Sequence, residues 1–209
     1  LPKGTVKASA RFSSLAWSEM VTQKAAFPLG VIAGGMETGV VNIWDPAKII
    51  TSDGVSSSQI GQVQRHQGPV KGLAFNPHSD NSHLLASGAA DNEVYIMTLE
   101  RPEQPTVFSP GDANASKHTA EVTCLGWNSQ VSHILASGSL NGSVMVWDIK
   151  QSKPWCELKD PGRGVISAVA WNPDEGLHII TASEDDSRPV LRYWDLRSST
   201  TSPLAELVG

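Results

Sequence analysis

The chain has 209 residues, of which 40% are hydrophobic and 18% charged, so it can bury a substantial core and shows no bias toward disorder. Its formal charge is −5, with scattered lysines and arginines, which argues against nucleic acid or an anionic membrane as the main partner. No apolar run approaches the ~20 residues of a membrane-spanning helix, and Cys124 and Cys156 are predicted to be reduced thiols.

The first predicted unit is made of short strands. Residues 5–10 read as a strand that precedes this unit, and FSSLAW from residue 12 opens it. The stretch VIAGGMETGVVNIWD follows, and its apolar segments are too short for stable helices. A loop rich in small and polar residues at 51–58 then leads to a possible outer strand at 59–64.

The second unit repeats this order. HQGPVKGLAFNP begins at residue 66, and LLASGAADNEVYIM follows it. A connection with two prolines, ERPEQP, leads to a candidate outer strand at 106–109. A polar stretch at 110–117 then carries the chain into the third unit.

The third unit, HTAEVTCLGWNSQVSHILASGSLNGSVMVWD, has the clearest pattern. Three apolar segments are separated by polar turns, and the dipeptide Asn141-Gly142 accepts positive φ in a tight hairpin. An alternating segment follows as the outer strand. We predict strands near 121–127, 134–138, 143–147 and 153–159.

The fourth unit contains VISAVAW and IITAS and closes with a predicted outer strand at 203–208. The third segments of the four units end at Trp44, Met97, Trp147 and Trp194, which lie 53, 50 and 47 residues apart. Four copies near the WD-repeat period of ~40 to 45 residues predict one propeller blade each.

The predicted fold class is therefore all-β, a WD-repeat β-propeller with about four consecutive four-stranded blades. Segments such as ILASG are apolar on both faces, as a sheet packed between two neighbouring sheets requires. We expect part of a larger ring with two open end faces, and a closed four-bladed ring is the alternative. The predicted blades span approximately 12–64, 66–109, 118–159 and 165–208, with 5–10 as the outer strand of a preceding blade.

Four polar positions recur among the units. In WD repeats a loop His, a strand Ser or Thr, a turn Asp and a strand Trp form a buried hydrogen-bonded chain, because imidazole and indole N–H groups need partners. No nucleophile motif accompanies this set, so we predict a structural role. The matching residues are His66, Ser87 and Asp91 in the second unit, His118, Ser137, Asn141 and Trp147 in the third, and Trp44 and Trp194 in the units that lack the His.

No catalytic, cofactor-binding or metal site is predicted, and we expect no enzyme. The six histidines are spread over different repeats, with no pair at zinc-like spacing and no companion Cys pair. The carboxylates at 184–186 could act in hydrolysis as a cluster, but their position after a strand favours a solvated turn.

Two residues are candidate protein contacts. Trp155 lies on a predicted outer strand, where it is either covered by a loop or available as a partner anchor. Arg197 completes a Trp-Asp-x-Arg pattern, which is typical of WD-repeat substrate receptors of cullin-type ubiquitin ligases, where the Arg meets an adaptor. The structural alternative is an Arg that caps the end of a strand.

Several longer stretches resemble one known family. They are AGGMETGVVNIWDPAKII, HQGPVKGLAFNP with LLASGAADNEVYIM, WNSQVSHILASGSLNGSVMVWDIK and ASEDDSRPVLRYWDLR. Together they are similar to the amino-terminal propeller of the large subunit of the COPII outer coat, the Sec-thirty-one family, over nearly the whole chain. That propeller has seven blades, so the resemblance implies an internal piece of about four.

The resemblance also implies a function. Such propellers are non-catalytic scaffolds in the coat of vesicles that travel from the endoplasmic reticulum to the Golgi, and they make protein–protein contacts in the outer cage. The implied partners are the smaller WD-repeat outer-coat subunit and other copies of the coat subunit, with no nucleic acid and no direct membrane insertion. The implied location is cytoplasmic, peripheral on endoplasmic reticulum exit sites and COPII vesicles, and no cofactor is implied.

Overall fold

The described part of the chain folds into four antiparallel sheets. The computed structural model describes residues 4–51, 58–184 and 189–209, and within these ranges sixteen strands form four sheets of four strands each. In every sheet the strands lie side by side in the order of the sequence. This meander is the topology of a propeller blade, so the predicted fold class is confirmed.

Each blade takes four successive strands, the first being the innermost. Blade 1 contains β1 (Phe12–Ser18), β2 (Val31–Met36), β3 (Val40–Trp44) and β4 (Gln59–Gln64). Blade 2 contains β5 (Val70–Phe75), β6 (Leu84–Ala89), β7 (Val94–Thr98) and β8 (Thr106–Phe108). Blade 3 contains β9 (Val122–Trp127), β10 (Ile134–Ser139), β11 (Ser143–Asp148) and β12 (Lys153–Lys159). Blade 4 contains β13 (Val165–Trp171), β14 (His178–Glu184), β15 (Val190–Asp195) and β16 (Ala205–Val208).

The turns between the second and third strands need residues that tolerate positive φ. Gly39, Asn92 and Gly142 have φ values of 83°, 67° and 82°. At Gly142 the neighbouring chain is also close, since an added Cβ would lie 2.9 Å from Arg163 Cα. The predicted Asn-Gly hairpin is present, with the glycine in the left-handed conformation.

The hydrophobic core lies between the blades. Val41 and Ile43 of blade 1 pack with Leu85 of blade 2, and equivalent clusters lie between blades 2 and 3 and between blades 3 and 4. The second strands β6 and β10 are almost fully buried because a neighbouring blade covers each of their faces. Strand β2 is also almost fully buried, although only blade 2 packs on it, because Val6, Ala8 and Ala10 pack on the other side of blade 1. Stacked repeats of this kind bury apolar area mainly against their neighbours.

The four blades form an open arc. Strand β1 lies against β5, β5 against β9, and β9 against β13, and no comparable packing joins β13 to β1 in the part of the chain that the structure describes. Apolar side chains are consequently exposed on both end faces. Leu15 and Trp17 are 63% and 64% exposed on blade 1, and Leu207 is 67% exposed on blade 4.

Residues 5–10 differ from the prediction, because they form no strand. Val6, Ala8 and Ala10 instead pack on the open face of blade 1 against Trp44. The alternation of apolar residues at 5–10 correctly indicated that one side of this segment packs against the protein. A strand also needs a neighbour for its backbone hydrogen bonds, and this segment pairs with none of the strands in the four described sheets.

Helix α1 (Pro46–Thr51) was not predicted. Asp45 caps it, since its Oδ1 accepts the Ala47 N–H at 2.9 Å, and proline is favourable at the first helical position. Most of the predicted loop at 51–58 lies outside the described residues. No helix in the ranges described above is both long and apolar enough to cross a membrane.

Candidate interaction surface and the polar networks of the blades

In blade 2, a loop, a strand and a turn bring His66, Ser87 and Asp91 together. Nδ1 of His66 lies 3.0 Å from Asp91 Oδ1, and Nε2 lies 2.9 Å from Ser87 Oγ. Because a carboxylate only accepts, Nδ1–H donates to Asp91 and Nε2 accepts from the Ser87 hydroxyl. Met97 replaces the tryptophan, and the Tyr95 ring packs on His66 with centroids 4.9 Å apart. This network is complete without an indole.

In blade 3, the indole joins the network but the turn residue does not. Ser137 Oγ accepts from Trp147 Nε1 at 2.8 Å and lies 2.6 Å from His118 Nε2. Asn141 was assigned the place of the carboxylate, but its Nδ2 donates to Thr119 Oγ1 at 3.0 Å while its oxygen caps the following turn. His118 Nδ1 consequently has no hydrogen-bond partner among the described residues. The structure therefore places Asn141 outside the network.

Burial lowers the pKa of both network histidines. For His118, burial alone lowers the pKa from 6.5 to about 4. For His66, burial also lowers the pKa, although the Asp91 carboxylate opposes this shift. Both imidazoles are therefore neutral near pH 7 and act as fixed parts of the blades.

Blade 1 lacks the network because Gly34 occupies the position of Ser87 and Ser137. Trp44 Nε1 has no partner among the described residues, although the ring is buried and packs on Phe12 with centroids 5.7 Å apart. An added Cβ on Gly34 would lie 2.6 Å from Phe12 Cε1 and 2.7 Å from Trp44 Cζ3. The glycine thus allows the two aromatic rings to close over the strand.

Blade 4 has an ion pair near the place of the missing histidine. Thr181 Oγ1 accepts from Trp194 Nε1 at 3.0 Å, as Ser137 does in blade 3. The buried guanidinium of Arg192 donates to Asp160 through Nη1 and to Glu206 through Nε, the latter at 2.9 Å. The sequence analysis missed this pair, because Arg192 and Asp160 are distant in sequence and neither occupies a repeat position. The available signal was a charged residue, Arg192, in the middle of the strand segment that runs from Val190 to Trp194.

The set around His66 has the composition of a hydrolase triad but not its accessibility. Ser87 is fully buried and His66 is 1% exposed, so a substrate has no path to the hydroxyl. No group of His, Cys, Asp and Glu that could hold a metal ion occurs in the described part of the chain. Of the carboxylates at 184–186, Glu184 ends β14 and the other two lie outside the described residues.

The two cysteines are free thiols in half-buried positions. Burial raises the pKa of Cys124, and it raises the pKa of Cys156 to about 11. A thiol needs its thiolate form to attack, so neither cysteine is activated as a nucleophile.

Trp155 borders an accessible apolar groove on the outer rim. Its side chain is 46% exposed on β12, an outer strand, and it lines a groove of about 420 Å³ with Val131 and Ile134 of blade 3 and Leu177 of blade 4. We call this feature the Trp155 groove. A half-exposed indole beside apolar walls is typical of a protein contact.

Arg197 lies in a charged cluster of its own blade. Its Nε donates to Asp195 Oδ1 at 3.2 Å, and its Nη2 lies 3.1 Å from His178 Nε2 and 3.7 Å from Glu175 Oε2. The Arg197 backbone N–H also donates to Asp195 at 3.0 Å and is the main cause that lowers the pKa of that carboxyl. This geometry matches the strand-end cap and leaves the guanidinium engaged within the blade.

Known proteins resemble this chain over nearly its whole length. The family described as WD domain, G-beta repeat matches residues 57–96 and 113–148. Protein transport protein SEC31 of Dictyostelium discoideum is 41% identical over 215 residues, which cover 99% of this chain and 15% of that protein. Protein transport protein SEC31 of Mycosarcoma maydis is 39% identical over 219 residues, which cover 95% of this chain and 15% of that protein. The chain thus spans only a small part of these relatives.

A solved structure extends the similarity to the fold. One chain of the structure titled "COPII on membranes, outer coat vertex" superposes with a TM-score of 0.78 and 26% identity. The match covers all of this chain and 52% of that chain. All four blades, including the first and fourth, are therefore part of the shared arrangement.

Proposed function

Because this chain belongs to the SEC31 family, we propose that it is a non-catalytic structural part of the COPII vesicle coat in transport from the endoplasmic reticulum to the Golgi. The observation that carries this proposal is identity of 41% across 99% of the chain. WD motifs alone would not give such coverage, since the WD family matches only the outer strand of blade 1 and parts of blades 2 and 3, and nothing in blade 4. The superposition on a chain of an outer coat vertex supports the same role.

The proposed role is that of a rigid scaffold whose surfaces bind other proteins. Its candidate partners are the smaller WD-repeat outer-coat subunit and other copies of the coat subunit. The polar side chains that could suggest chemistry are buried within blades, as Ser87 and His66 are, which supports a role without catalysis. The proposed location is the cytoplasmic side of endoplasmic reticulum exit sites and COPII vesicles, held there through protein contacts.

We assign Trp155 as the anchor of one such contact. Its ring forms one wall of the Trp155 groove, to which two blades contribute. Lys153 lies on the same groove and gives its rim a polar border, which is the usual arrangement around a buried contact centre.

A chimera tests the function directly. The matching segment of SEC31 from Dictyostelium discoideum is replaced by this chain, and formation of outer-coat cages on membranes is measured by electron microscopy. We expect cages with normal vertices, and a weaker yield for the chimera that carries Trp155→Ala. The matched control is Phe108→Ala, which removes an exposed aromatic ring on the outer strand of another blade.

Thermal melting of each chimera shows whether it is folded. A folded chimera that forms no cages would contradict the coat function. Equal cage yields for Trp155→Ala and Phe108→Ala would contradict only the assignment of the groove.

A further inference from the structure

The chain itself fills the outer rim between blades 1 and 2. The connection at 99–105 joins β7 to β8 of blade 2, and its Pro102 is buried beside the outer strand of blade 1. A Cβ added to Gly61 of that strand would lie only 1.9 Å from the Pro102 carbonyl oxygen. Ile60, the neighbour of Gly61, packs on the core cluster between the two blades. A segment that contains proline therefore closes this gap.

A second segment that contains proline closes the rim between blades 2 and 3. Pro110 and Gly111 follow the outer strand of blade 2 and are both buried. A Cβ added to Gly111 would lie 3.2 Å from the Trp147 ring of blade 3. The Asp112 N–H donates to Ser152 O at 2.8 Å, in the turn before the outer strand of blade 3. This segment thus lies on the blade that follows it.

The third gap, between blades 3 and 4, is the Trp155 groove, and no segment of the described chain fills it. The linker at 160–164 crosses at the other end of β11, because the Asp160 N–H donates to Gly142 O in the turn between β10 and β11. In blade 4 the segment at 197–204 takes the place of 100–105, and it contributes no wall to the groove. The space of about 420 Å³ is room for a few residues of an added chain.

One wall of this gap is apolar where the other blades are polar. In blades 2, 3 and 4, the residue before the second strand accepts the same backbone hydrogen bond from the residue that follows the third strand. This position is His83 in blade 2 and His133 in blade 3, but it is Leu177 in blade 4. The apolar side chain lies at the one gap that the described chain leaves unfilled, which favours an apolar contact there.

The groove is preformed, because hydrogen bonds join the loops that build it. Asn128 Nδ2 of blade 3 donates to Gly176 O of blade 4 at 2.7 Å, and Gln130 Nε2 donates to Pro173 O of the same loop. Asn128 Oδ1 also accepts the N–H of Val131, a wall residue, at 2.8 Å. Walls that are already fixed lower the entropic cost of binding an extended segment.

Trp155 and two lysines supply groups that can recognise such a segment. The indole N–H of Trp155 has no hydrogen-bond partner among the described residues. Lys153 lines the groove and Lys150 lies in the preceding turn, and neither forms an ion pair in the described ranges. The Asp148 carboxylate accepts the N–H groups of Lys150 and Gln151 at 3.0 Å, so its own turn engages it. An acidic residue of a partner can therefore neutralise the remaining positive charge.

We propose that the Trp155 groove binds a short, extended segment of a partner protein in which a proline lies beside an acidic residue. The proline packs on the indole ring, the indole N–H donates to a carbonyl of the segment, and the acidic residue pairs with Lys153. The two segments that fill the other gaps have this composition, with Glu100, Pro102 and Glu103 in one and Pro110 and Asp112 in the other. The inference rests on the proposed role of Trp155 as the anchor of a protein contact, and it adds the chemistry of the partner.

The test uses a synthetic peptide, LERPEQPT, with the sequence of residues 99–106, which fill the gap between blades 1 and 2. The purified chain is immobilised at low density, and peptide binding is measured by surface plasmon resonance. We expect a dissociation constant of about 100 µM or lower, and one about tenfold higher when both prolines of the peptide are alanine. Trp155→Ala should also weaken binding about tenfold, while Phe108→Ala, which removes an exposed ring from another outer strand, should leave it unchanged.

The ion pair has its own test on the same surface. Lys153→Gln should weaken binding of the peptide about threefold, as expected for an exposed pair. A peptide with glutamine in place of both glutamates should bind the wild type and Lys153→Gln equally, because it has no charge to pair. Lys159→Gln, at the far end of β12, is the matched control. Equal binding of the acidic peptide by Lys153→Gln and Lys159→Gln would contradict the pairing with Lys153.

Three results would overturn the proposal. They are no binding of the peptide at about 1 mM, equal binding of the proline and alanine peptides, and equal binding by Trp155→Ala and Phe108→Ala. Thermal melting establishes that the variants are folded, and the comparison of peptides needs no variant of the protein. Failed peptide binding beside normal cages of the SEC31 chimera would contradict this inference alone. A folded chimera without cages would contradict the coat function whatever the peptide does.

Discussion

Two buried tryptophans of this chain differ by one hydrogen bond. Trp147 donates to Ser137 at 2.8 Å, whereas the indole N–H of Trp44 has no partner among the described residues. We expect Trp147→Phe to lower the free energy of unfolding by about 1 kcal/mol more than Trp44→Phe, because only the first change removes a bond and leaves a buried hydroxyl short of a donor. Urea unfolding of the two variants measures this difference, and each variant serves as the other's control for lost ring volume. Equal losses would show that the network does not stabilise blade 3.

His118 makes the stability of the chain depend on pH. Burial lowers its folded pKa to about 4, below the ordinary value of 6.5, so the unfolded chain binds more protons between these values. Stability therefore falls as the pH falls through this range and is fully retained above it. We expect His118→Gln to show a smaller loss of melting temperature between pH 7 and pH 5 than the wild type. An unchanged slope would contradict the buried neutral imidazole.

Asn141→Asp should repair the network of blade 3. A carboxylate there can accept from His118 Nδ1, as Asp91 accepts from His66 in blade 2. We expect a raised His118 pKa, measured by NMR titration, and a gain of about 1 kcal/mol in the free energy of unfolding at pH 7. Asn92→Asp in the equivalent turn of blade 2 is the control, since it adds the same charge beside a network that is already complete.

The repeat positions of these networks were predictable, but their partners were not. His66, Ser87 and Asp91 follow from spacing because their blade keeps the usual residue types. Asn141 was placed in a network by position alone, although an amide can equally donate to Thr119. Trp44 could have been identified as unpaired, because Gly34 aligns with the serines and offers no hydroxyl.

At the level of single blades, an ion pair replaces the histidine network in blade 4. We expect Arg192→Leu to lower the free energy of unfolding by about 3 to 5 kcal/mol, because it leaves the buried Asp160 carboxylate unpaired. The loss should shrink when Asp160→Asn is added, since the stranded charge is then removed. Lys71→Met breaks an exposed pair with Glu121 and should cost about 0 to 1 kcal/mol. Chemical denaturation measures all three, and a double variant no more stable than Arg192→Leu would contradict this reading.

Strands were easier to predict than the segments between them. The observed β10 and β11 are each only one residue longer than predicted. The prediction was this close because apolar residues on both faces identify the two strands and a glycine turn separates them. Residues 5–10 have a similar alternation but pair with none of the strands in the four described sheets. Helix α1 was missed because Asp45 and Pro46 were read as the end of a repeat, although they also start a helix.

At the scale of the whole molecule, stability should depend on how many blade faces are covered. Each blade packs only on its neighbours, so the total is approximately a sum of blade terms and interface terms. The arc has three internal contacts and two open ends. Covering the ends with further blades is expected to raise the melting temperature, as measured by calorimetry.

The most direct test is to compare, by light scattering, this 209-residue chain with a version joined at both ends to the flanking propeller segments of SEC31 from Dictyostelium discoideum. We predict that the mass of the short chain rises with concentration, while the extended version remains a monomer at the same concentrations. That result would show that the end faces are unsatisfied blade contacts of a larger propeller. A short chain that stays a monodisperse monomer would contradict the open arc.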